Sequence, residues 1–247
     1  MKKPKQRLDL ILVDRGLAPS RERARALIMA GAVRVGGAQI DKPGTAIPED
    51  AVVGVKGADH PWVSRGGLKL AHALESFDLD VADRVALDIG ASTGGFTDVL
   101  LKSGVARVYA VDVGHGQLDW GLRNDPRVVP LERTNARNLT DVQIPEPVSF
   151  IVCDASFIGL RTVLPAALKL AAAGAILVAL IKPQFEAGKD RVGKGGVVRD
   201  PAVHEEVCEV IRDWLSDLPD WTVIGMTESP VRGPAGNKEF LIAARHD

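Results

Sequence analysis

The feature that most restricts the fold is a series of short apolar runs between Val85 and His246. They are "VALDIGAS", "RVYAVDVG", "RVVPLER", "SFIVCDAS", "GAILVALIK", "WTVIGMTES" and "EFLIAARH". Most are nearly continuous in Val, Ile, Leu and Ala, which is how strands read when a parallel sheet buries both of its faces under helices. Helical segments are expected between them, notably Thr97 to Lys102 and Leu160 to Leu170. Asp200 caps a further helix with Pro201 at its first position, running to about Leu215. The expectation is a doubly wound, Rossmann-like α/β sheet of seven strands.

Several function classes fall away at once. The longest apolar run, Leu170 to Ile181, has 12 residues, whereas a bilayer span takes roughly 20. It reads as a helix end passing through Gly174 into a buried strand. The basic start "MKKPKQRLDLILV" is interrupted by Asp9 and followed by Asp14, with no small-residue cleavage site, so no signal peptide is expected. Cys153 and Cys208 form no paired motif, and His60, His72, His115, His204 and His246 lack ligand spacing. The expectations are a reducing cytoplasm, no metal and no membrane.

Charge becomes informative when the chain is divided. Residues 1–57 carry 11 Lys and Arg against 6 Asp and Glu, while the remainder carries 20 against 26. A basic head on an acidic body points to a polyanionic partner. In the head, Leu8, Leu10, Ile11 and Leu12 suggest a short helix ended by Gly16. Ser20 caps a second helix that Gly31 stops, and short β-runs surround Gly36–Gly37 and recur in "AVVGV". Arg21 and Arg25 lie four apart on one helix face, with Arg7 and Lys42 adjoining, as a phosphate-binding face would require.

The stretch "RLDLILVDRGLAPSRERARALIMAGAVRVGG", with "DKPG" after it, resembles the RNA-binding fold named after ribosomal small-subunit protein S-four. That resemblance implies a small α+β RNA-binding domain over residues 1–58. A linker over 59–64 and a second domain over 65–247 are expected to follow.

The turn "LDIGASTGGFTD" discriminates among ligands. A P-loop needs a lysine where this chain has Phe96, and the dinucleotide fingerprint needs G-x-G-x-x-G where it has Gly90, Gly94 and Gly95 in the order G-x-x-x-G-G. Asp88 on the first strand and Asp112 after the second suit a nucleoside with an amino-acid tail, because a carboxylate there accepts both ribose hydroxyls. "DIGASTGGFTDVLL" resembles the first motif of class I S-adenosylmethionine-dependent methyltransferases, especially ribose 2′-O-methyltransferases of the FtsJ type. The resemblance implies S-adenosylmethionine as cofactor. Asp88, Gly90, Ser92, Gly94, Gly95 and Phe96 would surround it at the turn, with Asp112 on its ribose, Asn135 or Ala136 by its adenine and Asp154 near its cationic centre.

Methylating a ribose hydroxyl calls for a positioned base, and lysine can serve when burial or nearby cations bring its pKa to roughly 7 to 8. Asp154 and Lys182 end strands at the carboxyl edge of the sheet. Lys69 opens the helix before the first strand, and Glu239 begins the last strand, which reaches the same edge if it runs antiparallel. In order and position these four match the Lys-Asp-Lys-Glu tetrad of the ribose methyltransferases. With the basic head, "WVSRGGLKL" and "LIKPQFE", the whole chain resembles the TlyA family of ribosomal RNA methyltransferases.

That resemblance implies 2′-O-methylcytidine in ribosomal RNA as product, the ribosomal RNA or a ribosomal subunit as partner, and an antiparallel seventh strand. Lys182 would take the hydroxyl proton while Asp154 positions it; Lys69 and Glu239 would orient the nucleophile. Lys189, Arg191 and Lys194, with Arg199, lie in a glycine-rich loop after Lys182 and are expected to face RNA. Two rival readings remain: a membrane-active protein, since members of the family are often labelled haemolysins, and an RNA-binding protein whose methyltransferase domain is inactive.

Overall fold

Strands that are apolar on both faces must be covered twice, and in this chain they are. The computed structural model describes residues 4–15, 17–18, 20–55, 60–233 and 235–247. It divides into two compact units, Met1–Pro61 and Trp62–Asp247.

The first unit comprises β1 (Lys5–Arg7), α1 (Leu8–Asp14), α2 (Arg21–Met29), β2 (Val33–Val35), β3 (Ala38–Gln39), β4 (Ala46–Pro48) and β5 (Val53–Val55). Ser20 caps α2 by accepting from the Arg23 N–H. Gly36 and Gly37 both take positive φ, 56° and 87°, as a two-residue β-hairpin turn requires between β2 and β3. The antiparallel pair of β1 with β4 is a feature that so short and polar a start as "KQR" does not announce. Leu8, Ile11, Leu12, Ala24, Ile28 and Val33 form a separate small core. Gly16, expected to end α1, lies outside the described residues, as do residues 56–59, which include the expected domain boundary.

The second unit begins with Trp62 and Val63 packed on its core. Next come α3 (Gly66–Ser76), β6 (Val85–Ile89), α4 (Gly95–Lys102), β7 (Arg107–Val111), α5 (Trp120–Arg123), β8 (Val128–Leu131) and β9 (Val148–Cys153). After these come α6 (Leu160–Val163), α7 (Pro165–Leu168), β10 (Ala171–Ile181), α8 (Pro183–Glu186), α9 (Pro201–Ser216), β11 (Trp221–Glu228) and β12 (Phe240–His246). The seven strands order as β11-β12-β10-β9-β6-β7-β8. β8, β7, β6, β9 and β10 are mutually parallel, and β12 is antiparallel to both β10 and β11.

Alternate residues of each central strand serve opposite faces. Leu87, Ile151, Leu177 and Ile181 join the core beneath α6, α7 and α9. Ala86, Phe150, Val178 and Leu180 join the core containing Leu70 of α3 and Leu100 of α4. The chain leaves β6 toward β7 on one side and later returns to lay β9 on the other. The switch in direction opens a crevice outside the carboxyl ends of β6 and β9.

Two expected elements are corrected. Leu160–Leu170 is two short helices, because Pro165 lacks the N–H needed to continue the first and instead starts the second. The segment through Gly174 is already strand: β10 starts at Ala171, and Gly174, at φ 74°, falls where the pairing with β9 shifts register.

Candidate active site

The crevice is lined from both sides of the switch point. The turn after β6 enters it through Gly90, whose N–H and that of Ala91 both donate to the Val111 carbonyl, at 2.9 and 3.1 Å. A Cβ at Gly90 would come 3.0 Å from Ala155 backbone, so this approach of two loops needs glycine. Ser92 sits in the left-handed region at φ 49° and donates its N–H to Asp112 Oδ2 at 2.8 Å. Asp112 Oδ1 accepts the Gly114 N–H at 2.7 Å. Two short backbone bonds therefore hold the Asp112 carboxylate rigidly at the end of β7.

Beside it is a cavity of about 470 Å³ lined by Asp112, Asn135, Gly90, Ser92 and Asp154, with Ile89, Val111 and Ile158 as apolar wall. An adjoining cavity of about 670 Å³ contains Lys69, Asp154, Lys182 and Glu239. Gly90, Ser92, Asp154, Ser156 and Phe157 line both.

Four ionisable groups alternate in sign through the larger cavity. Glu239 Oε2 is 2.8 Å from Lys69 Nζ, which is 3.3 Å from Asp154 Oδ2. Asp154 Oδ1 is in turn 2.6 Å from Lys182 Nζ. The contacts of Glu239 Oε2 and of Asp154 Oδ1 are of charge alone, without a hydrogen bond; Lys182 Nζ donates instead to the Asp154 carbonyl at 3.1 Å and to Ser156 Oγ at 2.9 Å. Only 1% of the Glu239 side chain, 7% of Lys182, 10% of Lys69 and 18% of Asp154 is exposed. The antiparallel β12 brings Glu239 to this edge at the start of its strand, where Asp154 and Lys182 stand at the ends of theirs.

The other expected cofactor residues separate into groups. Gly95 and Phe96 line the larger cavity. Gly94 lines neither: its φ of 94° and a would-be Cβ 2.3 Å from Leu122 Cδ1 make it a packing glycine. Asp88 is fully buried beneath the turn, where Oδ2 accepts from Thr97 Oγ1 at 2.7 Å. Burial pushes its carboxyl up to about 7. Asn135 lines the smaller cavity while its side chain accepts from the Arg137 N–H at 3.1 Å.

In the first unit, Arg7 donates twice to Asp9 at 2.9 Å and Arg21 once at 3.0 Å. Hydrogen bonds from Arg7 foremost hold the fully buried Asp9 carboxyl near 2. Both arginine side chains remain about half exposed, and Arg25 and Lys42 are exposed as well. Lys189 and Lys194 are likewise exposed, whereas Arg191 is tied to Glu206 at 2.5 Å and to the Ala187 carbonyl at 2.9 Å.

Ser156 and Phe157 escaped the sequence reading. Phe157 is 90% exposed, holds φ at 65° and stacks obliquely on Phe185 at 5.2 Å between centroids. A large aromatic left bare in a strained backbone at a cavity mouth marks a binding surface. Both stand in "DASF", directly after Asp154, a stretch whose hydropathy gives no sign of it.

A profile for FtsJ-like methyltransferases matches residues 62–246, and one for the S4 domain matches residues 6–53. The chain is 51% identical to the Mycobacterium tuberculosis 16S/23S rRNA (cytidine-2'-O)-methyltransferase TlyA, over 97% of this chain and 89% of that protein. It is 39% identical to Hemolysin A of Brachyspira hyodysenteriae, over 95% and 98%. Among solved structures, a hemolysin-named protein of Streptococcus thermophilus superposes with a TM-score of 0.76 at 44% identity, covering 99% of this chain and 90% of that one.

Proposed function

Because the chain belongs to the FtsJ-like methyltransferases, in their TlyA branch with an S4 domain, we propose that it methylates the ribose 2′-hydroxyl of a cytidine in ribosomal RNA. The observation that carries this reading is the alternating chain Glu239, Lys69, Asp154, Lys182 in a cavity that meets a second, nucleoside-sized one.

S-adenosylmethionine, the methyl donor of this family, supplies a methyl group made electrophilic by its sulfonium. The smaller cavity fits it chemically: Asp112 offers a fixed carboxylate to ribose hydroxyls, Ile89, Val111 and Ile158 an apolar wall to the base, and Asp154 an anion at the junction. In the larger cavity Lys182 acts as the free amine: its two N–H groups point at Ser156 Oγ and the Asp154 carbonyl, and its lone pair takes the 2′-hydroxyl proton. Lys69, held between Glu239 and Asp154, orients the hydroxyl oxygen through an N–H. Phe157 offers its bare ring to the nucleobase. Arg7, Arg21, Arg25 and Lys42 bind RNA phosphates from the S4 domain, as do Lys189 and Lys194 from their loop.

The test is transfer of labelled methyl groups to ribosomal RNA from cells lacking the gene, with mapping of the modified ribose. Lys182→Ala should bind S-adenosylhomocysteine as the wild type does and methylate nothing; undiminished transfer by that variant refutes the assigned base. No described helix is long and apolar enough to cross a membrane. Leakage of liposomes caused by the protein without cofactor would favour the haemolysin reading instead.

A further inference from the structure

Beside the larger cavity, toward β12, a second hollow of about 340 Å³ is lined by Arg199, Arg232, His204 and Lys238 together with backbone near Val198 and Gly236. Arg232 and Ala235 line both spaces, so the two lie side by side. The hollow is built from two glycine-rich loops that one buried side chain joins. Asn237, only 2% exposed, accepts the Val198 N–H at 2.9 Å and donates to the Gly196 carbonyl at 2.8 Å. Its own carbonyl accepts the Gly233 N–H at 3.0 Å. Arg199 projects from one loop and Arg232 from the other.

The charges in this hollow are not balanced. Lys238 is paired with Glu228 at 3.0 Å, and Asp200 is occupied in capping α9 through the Ala202 N–H. His204 donates through Nε2 to the Val198 carbonyl at 3.0 Å. Among the described residues neither Arg199 nor Arg232 faces a carboxylate; the Arg232 side chain bonds only the Gly236 carbonyl, at 3.3 Å. Arg65 donates to the Arg232 carbonyl at 2.9 Å and stands with Arg232 on the rim of the catalytic cavity. Two uncompensated guanidinium groups converging on one hollow favour a bidentate anion.

We propose that Arg199 and Arg232 form a subsite for an RNA phosphodiester flanking the ribose to be methylated, with Asn237 as the positioning residue that holds the two loops together. The hollow adjoins the cavity that holds the tetrad, so an RNA strand whose ribose reaches Lys182 would bring a neighbouring phosphate to the two arginines. This rests on the RNA-methylating reading above.

Equilibrium binding of unmodified ribosomal RNA, measured without cofactor across a salt series, tests it. Arg199→Gln and Arg232→Gln should each weaken binding about tenfold, the worth of one charge-assisted hydrogen bond. Each should also make the slope of log K against log salt shallower by about 0.7 to 0.9. In methyl-transfer assays the loss should fall on KM for RNA rather than on kcat. Glu228→Gln, which releases Lys238, should tighten RNA binding and steepen the slope, a gain that misfolding does not produce. Asn237→Ala should reproduce the arginine losses with S-adenosylhomocysteine affinity intact. Unchanged affinity and salt slope in both arginine variants overturn the subsite. Failure of the wild type to methylate RNA would instead overturn the wider reading, and the binding series still judges the groove.

Discussion

Glu239 Oε2 stands 2.8 Å from Lys69 Nζ, and the glutamate has almost no contact with solvent. Removing one partner of a buried pair leaves the other charge uncompensated, at a cost of about 3 to 5 kcal/mol. Glu239→Ala and Lys69→Met should each lower the thermal midpoint sharply and abolish methyl transfer. The double variant Lys69→Met with Glu239→Leu should be more stable than either single one and still inactive. Calorimetry beside a methyl-transfer assay checks this, and equal stabilities across the three would deny the pair its buried character.

Asp88 ties the glycine turn to α4 at the expense of an ordinary carboxyl. Its ionisation is moved from 3.8 to about 7 by burial, so folding takes up a proton between those values. The sign follows: Asp88 costs nothing below pH ~4, costs more as pH rises, and levels off above pH ~7 at something on the order of 4 kcal/mol. Asp88→Asn should therefore gain stability over the wild type progressively from pH 4.5 to 7, with a constant gap beyond. Thermal midpoints across pH for the two proteins would show parallel curves if the carboxyl titrated normally.

Phe157 occupies the left-handed region at φ 65°, which costs a residue with a Cβ about 1 to 2 kcal/mol. Phe157→Gly removes both the strain and the ring. Its thermal midpoint should rise or hold while its turnover on RNA falls, whereas Phe157→Leu should keep the strain and lose activity. A glycine variant as active as the wild type would make the exposed ring incidental.

Gly95 permits α4 and the start of α3 to meet. A Cβ there would lie 2.4 Å from Ser64 Oγ and 3.0 Å from the Gly67 nitrogen. Gly95→Ala must push aside the first turn of the helix that carries Lys69, with overpacking worth about 1 to 3 kcal/mol. Activity should drop further than stability predicts. Gly54→Ala, where nothing lies within 4 Å of the new Cβ and φ is not positive, is the comparison.

Much of this architecture is legible from sequence because the physics is local. Each of Asp154 and Lys182 follows a run too apolar for anything but a covered strand, so both are placed at one edge before any coordinate is known. Glu239 requires one further step, the reversal of β12, which the FtsJ resemblance supplies and hydropathy does not. Phe157 and Asn237 were not legible for a different reason. An exposed ring at positive φ and a buried amide linking two loops are defined by what surrounds them, and neither leaves a periodic trace. The break at Pro165 was local and could have been read. The strand start at Ala171 could not, since alanine and glycine favour neither state strongly enough to decide.

The position of β12 has a consequence for synthesis. It lies between β10 and β11, yet it is the last of the seven to be made. Until the ribosome releases residues 240–246, the flank of β10 offers a bare hydrogen-bonding edge, β11 has nothing to pair with, and Lys69 lacks its innermost carboxylate. A nascent chain stalled short of that strand would carry the turn and both lysines without the carboxylate that completes the alternating charges, and the sheet closes only once the seventh strand threads into the gap left for it.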